Sequence, residues 1–381
     1  MHGGSSRHYK MTRKKSFRLF FKKEYGVAKL VYPVFGKTAT GHFDTLVLRM
    51  GGHDSWHWRP NPGVYIRDRF SRYLQRSLGA PSAHSRPVHL YLNGIYWGVY
   101  DLVERPDSAF AASYLGGDKD EWDTLNSGSP ANARGDAVRH RRTKQAWRDL
   151  LELVKAIPLQ GAESERTKIY AGLQGLDVDG RVDPAASVWL NMENYIDYLL
   201  VNFYCGNADW PGNNYFVSRR RGLKSTGWHF FTWDMELTLL QTSDASINVM
   251  SSRKGVMAPF SFLRHSEEFR LKFADRVQRA FFGDGQLYAH PLLSDWDPER
   301  SGNNRPAQLF DALAREMERP LVAESARWGD QHSPGRPLTV EEHWKPEVAS
   351  VLRSFFPRRS RIVLQQLKDA GLYPSLAAPG F

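Results

Sequence analysis

The sequence contains a single cysteine, Cys205, among 381 residues, so no internal disulfide can hold the fold together. It has no run of about eighteen apolar residues, which excludes a membrane-spanning helix within it. Residues 1–6 lack the apolar segment that a signal peptide needs. The composition, with 41% hydrophobic and 24% charged residues, is that of a globular protein and excludes a wholly disordered chain.

The first residues resemble a glycine-rich turn, because Gly3 and Gly4 are followed by two serines. A tight turn of this kind normally joins two strands, and here the first strand would be missing. We therefore expect that the chain begins inside a domain and that any targeting segment lies upstream.

Acidic residues are scarce relative to basic ones, and the formal net charge is +11. The excess is concentrated in residues 1–37, 134–148 and 219–224. Such clusters attract polyanions, including nucleotide phosphates, nucleic acids and acidic protein surfaces. A solvated basic surface that keeps the protein soluble is the simpler explanation, and charge alone favours it.

Four short runs in the first hundred residues predict β-strands. Residues 16–21 and 43–49 are rich in aromatic and branched side chains, as strands are. Residues 88–92 and 95–100 flank Asn93–Gly94, the dipeptide that best predicts a hairpin because both residues tolerate positive φ.

Apolar spacing and composition place the other elements. Residues 107–142 are polar and rich in glycine, serine and asparagine, which predicts loops. The remaining predicted elements are helices at 67–78, 145–157 and 188–204, strands at 214–218 and 228–233, and helices beyond 262, the last over 358–367. We predict an α+β fold with two lobes, β-rich over residues 1–106 and mostly helical over 107–381. A ligand cleft is expected between them.

A loop rich in amides and containing one carboxylate separates the predicted helix 188–204 from the next strand. Asn214 follows Asp209 by five positions, and Asp234 comes directly after the second strand of the hairpin. Because a hairpin returns its end towards its beginning, these three side chains are expected to converge. Their oxygen atoms suit a hard cation such as Mg²⁺. Protein kinases use the same order of helix, Asp, Asn, hairpin and Asp.

Each of these residues, taken singly, has a simpler explanation. Asp209 and Asn213 could cap turns, and Asp234 could cap a helix that begins at Met235. The ordered set is much less well explained in this way.

Four stretches occur in an order that is specific in combination: residues 3–7 with 14–19, residues 91–100 with 104–105, residues 209–214, and residues 233–234. With these stretches the sequence resembles the CotH kinase family, the atypical protein kinases related to spore coat protein H. The resemblance covers roughly residues 1–240. It implies a kinase-like fold of two lobes that binds ATP and Mg²⁺ and phosphorylates Ser or Thr of a protein substrate.

By position, the resemblance implies that Asp209 is the catalytic acid that orients or deprotonates the substrate hydroxyl. Asp234 would hold Mg²⁺ against the phosphates, and Asn214 or its neighbour Asn213 would be the second metal ligand. Losing either aspartate should be severe, because the chemistry depends on positioning and charge neutralisation.

The N-terminal segment would supply the phosphate contacts. Backbone N–H groups there could cradle the phosphates, with Lys14 or Lys15 supplying an ammonium group. A solvated basic strand explains either lysine equally well. The residues implied in the cradle are Gly3, Gly4, Ser5 and Ser6.

Glu104 follows the predicted Asn-Gly hairpin, where it could contact the nucleotide or orient a lysine; alternatively, it forms a surface pair with Arg105. No helix glutamate is identified as the lysine's partner, and Asp68 is the nearest acid on the predicted helix. Further along, Glu324 belongs to a polar cluster that we interpret as a structural ion pair.

Two other functions remain open. A kinase-like scaffold of a spore coat or cell envelope, without turnover, is the main alternative, and the apparently missing first strand favours it. A nucleic-acid-binding module is a third possibility that rests on charge alone. The resemblance suggests an extracytoplasmic or spore-associated location, and the sequence does not indicate the oligomeric state.

Overall fold

The computed structural model describes residues 3, 12–58, 63–131, 136–240, 245–332 and 334–374. The strands are β1 (Phe17–Phe20), β2 (Leu30–Val31), β3 (His42–Phe43), β4 (Thr45–Arg49), β5 (Ser85–Leu92), β6 (Ile95–Glu104), β7 (Trp122–Asn126), β8 (Ser129–Pro130), β9 (Val188–Leu190), β10 (Tyr215–Arg220) and β11 (Thr226–Thr232). The helices are α1 (Arg67–Ser77), α2 (Ser108–Leu115), α3 (Ala137–Lys155), α4 (Glu163–Leu173), α5 (Met192–Cys205), α6 (Ala258–Leu263), α7 (Glu267–Phe281), α8 (Arg305–Trp328), α9 (Lys345–Ser354) and α10 (Phe356–Asp369). Within these ranges, no helix combines the length and the apolar character that crossing a membrane requires. The predicted α+β fold class is confirmed.

The first sheet has the strand order β1-β4-β6-β5 and is antiparallel throughout. Its longest hairpin joins β5 to β6 through Asn93 and Gly94, whose φ angles are 50° and 80°. These are the positive values that a tight hairpin turn of this type requires, so the prediction from the Asn-Gly dipeptide is confirmed.

The second sheet has the order β8-β7-β10-β11-β9. Its strands β7 and β9 show that two predictions from the sequence were wrong. The segment 107–142 is not loop: it forms α2, β7, β8 and the first turns of α3. Pairing with β10 buries most of β7, a long-range contact that local composition does not reveal.

The predicted helix 188–204 is also too long at its start. Its first three residues form β9, which pairs in parallel with β11. The Asn191 side chain then accepts a hydrogen bond from the backbone N–H of Asn194 at 3.0 Å, and this N-cap begins α5 at Met192.

Helix α5 lies at the centre of the main hydrophobic core and packs against α1, α7 and β11. All of its residues except Glu193 are buried. Cys205 at its last position is fully buried, and burial raises the pKa of its thiol to about 12. The interpretation of this cysteine as a small core residue, not a nucleophile, is consistent with that environment.

A buried ion pair connects the N-terminal segment to α8. Lys14 Nζ lies 2.6 Å from Glu324 Oε1, and both side chains are fully buried. The same carboxylate contacts His57 Nε2 at 2.6 Å and accepts from the backbone N–H of Val99 at 2.7 Å. Burial opposes ionisation of Glu324, but Lys14 and His57 outweigh it and hold the pKa of Glu324 at about 2. Glu324 therefore forms a structural ion pair, but its partner is the distant Lys14 and not a neighbour in the predicted polar cluster.

Arg359 on α10 holds the C-terminal end of α5 with a buried guanidinium. It donates to the carbonyl oxygens of Phe203 and Tyr204, the latter at 2.7 Å. It also donates to Ala245 and, at 2.9 Å, to Ile247. A cation is favourable at this end of a helix, where backbone carbonyls lack partners.

We predict that Arg359→Met lowers the free energy of unfolding by about 3 kcal/mol, because several buried carbonyls lose their donor. The matched control is Arg361→Met on the exposed face of the same helix, which should change stability by less than about 0.5 kcal/mol. Urea denaturation of both variants measures the difference. Equal midpoints would show that Arg359 does not anchor α5.

Candidate active site

A cleft of about 480 Å³ lies where β4 of the first sheet faces the β10–β11 hairpin of the second. Residues from distant parts of the chain line it: Gly3, Ser16, Arg49, Met50, Gly52, His53, Trp58, Asn126, Ser127, Asp209, Asn213, Asn214, Trp233, Asp234, Glu236 and Leu237. Carboxylates and amides predominate among the side chains that carry chemistry. The predicted catalytic and metal-binding residues therefore share one cleft.

The β10–β11 hairpin explains why Asn214 and Asp234 meet. Tyr215 pairs with Thr232, so Asn214 precedes the first pair of the ladder and Asp234 follows it. Both residues have positive φ, 63° and 59° respectively. Asparagine and aspartate tolerate this conformation better than most residues, and it turns the chain sharply at both ends of the hairpin.

Asp209 lies at the exposed edge of the cleft and contacts Asn214 directly. The Asn214 side-chain Nδ2 donates to Asp209 Oδ2 at 2.9 Å. The loop is fixed at its base, because the Ala208 N–H donates to the carbonyl of Leu237 at 3.1 Å. This bond ties the segment carrying Asp209 to the segment that follows Asp234.

Arg49 at the end of β4 is bound by three carboxylates from different elements. Its guanidinium lies 2.5 Å from Asp234, 2.6 Å from Glu236 and 3.2 Å from Asp68 on α1. Asp68 also accepts from the backbone N–H of Met235 at 2.9 Å. The acid on the predicted helix thus pairs with an arginine, not with a lysine.

The crowding of charge alters the acidity of this cluster. Withdrawal from bulk water, with Glu236 and Asp68 nearby, raises the pKa of Asp234 to about 6 against the opposing effect of Arg49. Its side chain is nevertheless 39% exposed, so a bound cation could reach the carboxylate. Burial opposes ionisation of Glu236 as well, but Arg49 and His53 hold its pKa at about 2.

Neither predicted lysine lines the cleft. Lys14 is buried against Glu324 and donates to the carbonyl of Val99 at 2.5 Å. Lys15 Nζ donates to the carbonyl of Thr12 at 2.5 Å. Gly3 lines the cleft, as the phosphate cradle requires, but Gly4, Ser5 and Ser6 lie outside the described residues.

Glu104 is also placed away from this cleft. Its carboxylate is buried at the end of β6, where it accepts from the backbone N–H of His84 at 2.8 Å and from Tyr114 Oη at 2.7 Å. The alternative of a surface pair with Arg105 does not fit this burial either, because both residues are buried.

Three residues of the site were not identified from the sequence: Arg49, Glu236 and His53. Two of these residues have a weak signal in the sequence. Arg49 ends an otherwise apolar strand, and Glu236 follows Asp234 by two positions. The third, His53, donates its backbone N–H to Glu236 at 2.9 Å, and this carboxylate raises the pKa of its imidazole.

The oxygen donors of the cleft fit a hard divalent cation. Asp234 offers a carboxylate and Asn213 and Asn214 offer amide oxygens, while Asp209 lies at the exposed edge, free to act on a substrate. In the described ranges, no group of three or more His, Cys, Asp or Glu side chains is arranged to hold a metal ion. A cation here would therefore depend on a mixed set of carboxylate and amide ligands.

We predict that Arg49→Met lowers the free energy of unfolding by about 3 to 5 kcal/mol at pH 7, because three carboxylates lose their shared cation. Without Arg49, the pKa of Glu236 should rise from about 2 to above its value in the unfolded chain, and the pKa of Asp234 should rise further above about 6. Protonation on acidification then favours the folded variant, so the deficit should shrink between pH 7 and pH 5. Thermal unfolding over this pH range tests this, with Arg49→Lys as the charge-retaining control. A deficit independent of pH would contradict the assigned role.

Comparison with known proteins identifies the family of this chain. A search of the curated proteins found no match. Among solved structures, the crystal structure of the Helicobacter pylori proinflammatory kinase CtkA shows 8% sequence identity, with 85% of this chain and 92% of that chain covered and a TM-score of 0.27. The family model described as CotH kinase protein matches residues 1–282, which is more than half of the chain. The chain therefore belongs to the CotH kinase family.

Proposed function

We propose that this protein is an ATP-dependent protein kinase that phosphorylates Ser or Thr of a protein substrate and uses Mg²⁺. The observation that carries the proposal is the meeting of Asp209, Asn214 and Asp234 in one cleft. Membership of the CotH kinase family supports the same reaction class. The cleft volume of about 480 Å³ is within the usual range for small-molecule sites.

Asp209 is proposed to act on the substrate hydroxyl. Its carboxylate is exposed and held by Asn214, so a polypeptide hydroxyl can approach it from solvent. As the hydroxyl oxygen forms a bond to the γ-phosphorus, the bond from that phosphorus to the β–γ bridging oxygen breaks and ADP leaves. The hydroxyl proton passes to the Asp209 carboxylate.

Asp234 and Asn214, or its neighbour Asn213, are proposed to hold Mg²⁺. Because the Asn214 Nδ2 donates to Asp209, its Oδ1 is the atom that can face a cation. A bound Mg²⁺ would neutralise charge on the phosphate oxygens. Asp234 would then share its carboxylate between the metal and Arg49, which keeps the side chain oriented in the cleft.

The proposed division into lobes at residue 106 agrees with the composition of the cleft wall. Residues before that point contribute Gly3, Arg49 and His53, and residues after it contribute Asp209 and Asp234. We infer that the first lobe covers the phosphates, with residues 3–6 as their cradle, while the second lobe supplies the acids. An extracytoplasmic or spore-associated setting is proposed from family membership alone.

A catalytically inactive scaffold is the second candidate. The ion pair between Arg49 and Asp234 favours it, because this carboxylate already has a cationic partner. Within the described part of the chain, no lysine lines the cleft to pair with phosphates. Under this alternative the protein would serve as a structural component of a spore coat or cell envelope.

Incubation with γ-labelled ATP and Mg²⁺ should transfer label to a serine-rich protein or to the chain itself. We predict that Asp209→Asn lowers the transfer rate by about 100- to 10,000-fold while leaving ATP affinity unchanged, because the acid acts on the hydroxyl. Absence of label from the wild-type protein would favour the scaffold. Label that persists in Asp209→Asn would contradict the assigned role.

We predict that Asp234→Asn abolishes nucleotide-dependent Mg²⁺ binding, because the neutral amide is a poorer ligand for a hard cation. Titration calorimetry of Mg²⁺ in the presence of a non-hydrolysable ATP analogue measures it. Asp209→Asn serves as the control from the same cleft and should retain binding. Unchanged affinity in Asp234→Asn would remove this residue from the metal site.

A further inference from the structure

A second cavity, of about 410 Å³, lies beside α6 and apart from the cleft. Three serines, two arginines and a histidine line it: Ser251, Ser252, Ser261, Arg253, Arg264 and His265. No acidic side chain lines this cavity in the part of the chain that the structure describes. Met250 and Phe260 complete the lining, so the cavity combines an apolar wall with the guanidinium and hydroxyl groups that bind anions.

The two arginines of the cavity repel each other. Burial and the charge of Arg253 both lower the pKa of Arg264. Arg264 donates to the carbonyl of Ala370 at 2.9 Å, but neither arginine has a carboxylate within ion-pair distance among the described residues. Water screens part of this repulsion because Arg253 is exposed, but both guanidinium groups would attract an anion bound between them.

His265 shows that the positive potential extends through the cavity wall. Burial lowers its pKa, and the positive charges of four arginines lower it further: Arg264, Arg166, Arg270 and Arg253. Arg166 is paired with Glu163 at 2.7 Å, whereas Arg270 donates to the backbone carbonyls of Arg264 and His265. All four arginines therefore act on His265 in the same direction.

The cavity adjoins the loop that carries Asp209. Gly255, two residues after Arg253, packs so closely on Pro211 that a Cβ atom there would lie 2.1 Å from the Pro211 carbonyl oxygen. Tyr195 on α5 fixes the following residues: its hydroxyl donates to the carbonyl of Val256 at 2.7 Å and accepts from the N–H of Phe260 at 3.0 Å. The cavity is thus held in a fixed position beside the loop.

We propose that this cavity binds a phosphoryl group carried by the polypeptide substrate, a phosphoserine or phosphothreonine close in sequence to the acceptor hydroxyl. The inference rests on the proposed function, because Asp209 in the adjoining loop places the acceptor. Guanidinium groups bind phosphate through paired hydrogen bonds, and the hydroxyls of Ser251 and Ser252 can donate to the remaining oxygens, whereas Ser261 donates to the carbonyl of Ala258 at 2.7 Å. The preferred substrate would then be a polypeptide that is already phosphorylated nearby.

The first test is binding to the full chain without ATP. Fluorescence anisotropy compares a serine-rich peptide with the same peptide carrying one phosphoserine. The phosphopeptide should bind about tenfold tighter or better, and the double variant Arg253→Gln, Arg264→Gln should abolish the difference. Arg319→Gln, an exposed arginine on α8, is the control and should retain it.

Competition by inorganic phosphate identifies the source of the anion. Phosphate should displace the phosphopeptide from the wild-type chain only at much higher concentration than an unlabelled phosphopeptide. A cavity that binds free phosphate but does not distinguish the two peptides would overturn the proposal. Equal affinities in the wild type and the double variant would overturn it as well.

Transfer rates separate this inference from the proposed function. In the labelled-ATP assay, the phosphopeptide should have a KM about tenfold lower than the unphosphorylated peptide, and the double variant should raise that KM with kcat unchanged. If no peptide is labelled, the kinase proposal fails, and the binding experiment still decides what the cavity holds. If both peptides are labelled with equal KM, the kinase proposal stands and the cavity has no role in substrate choice.

Discussion

The cleft depends on the ion pairs that the Arg49 guanidinium makes with three carboxylates. One cation is bound by carboxylates from α1 and from the segment after β11, while its own backbone belongs to β4. Three parts of the chain that are far apart in sequence are thereby fixed around a single charge. Removing one side of such a buried cluster costs much more than its net contribution to stability, because the remaining charges stay buried. The ion pair with Arg49 orients the Asp234 side chain, which remains partly exposed to solvent.

Helix α5 positions both the cleft and the second cavity. Its C-terminal end leads into the loop that carries Asp209, and Arg359 holds that end through backbone carbonyls. Through Tyr195, the same helix positions the segment beside the basic cavity. An acidic cleft and a basic cavity thus both adjoin this loop. Such an arrangement suits a reaction that brings a hydroxyl and a negatively charged group of one polypeptide to neighbouring points.

Local sequence signals predicted the structure correctly where the contacting residues are close in the chain. The Asn93–Gly94 hairpin and the β10–β11 hairpin were both predicted, and with the second came the meeting of Asn214 and Asp234. The strands β7 and β9 were missed because their stability comes from pairing with β10 and β11, up to about a hundred positions away. Polar composition around β7 favoured a loop, and tertiary pairing overrode it.

The residues of the site also fall into two groups: those that residue order predicts and those that tertiary packing determines. Residue order predicted that Asp209, Asn214 and Asp234 would converge, and they line one cleft, because the hairpin returns Asp234 to the end at which Asn214 begins it. The order of residues does not show which cation faces these acids. The sequence does not reveal whether a given lysine or arginine, or its glutamate partner, is buried or exposed. Packing decided it: Lys14 is enclosed with Glu324 from α8, 310 positions later, and Arg49 takes the position beside the acids. Spacing along the chain determines local turns, whereas the partner of a buried charge is chosen by whichever distant element covers it.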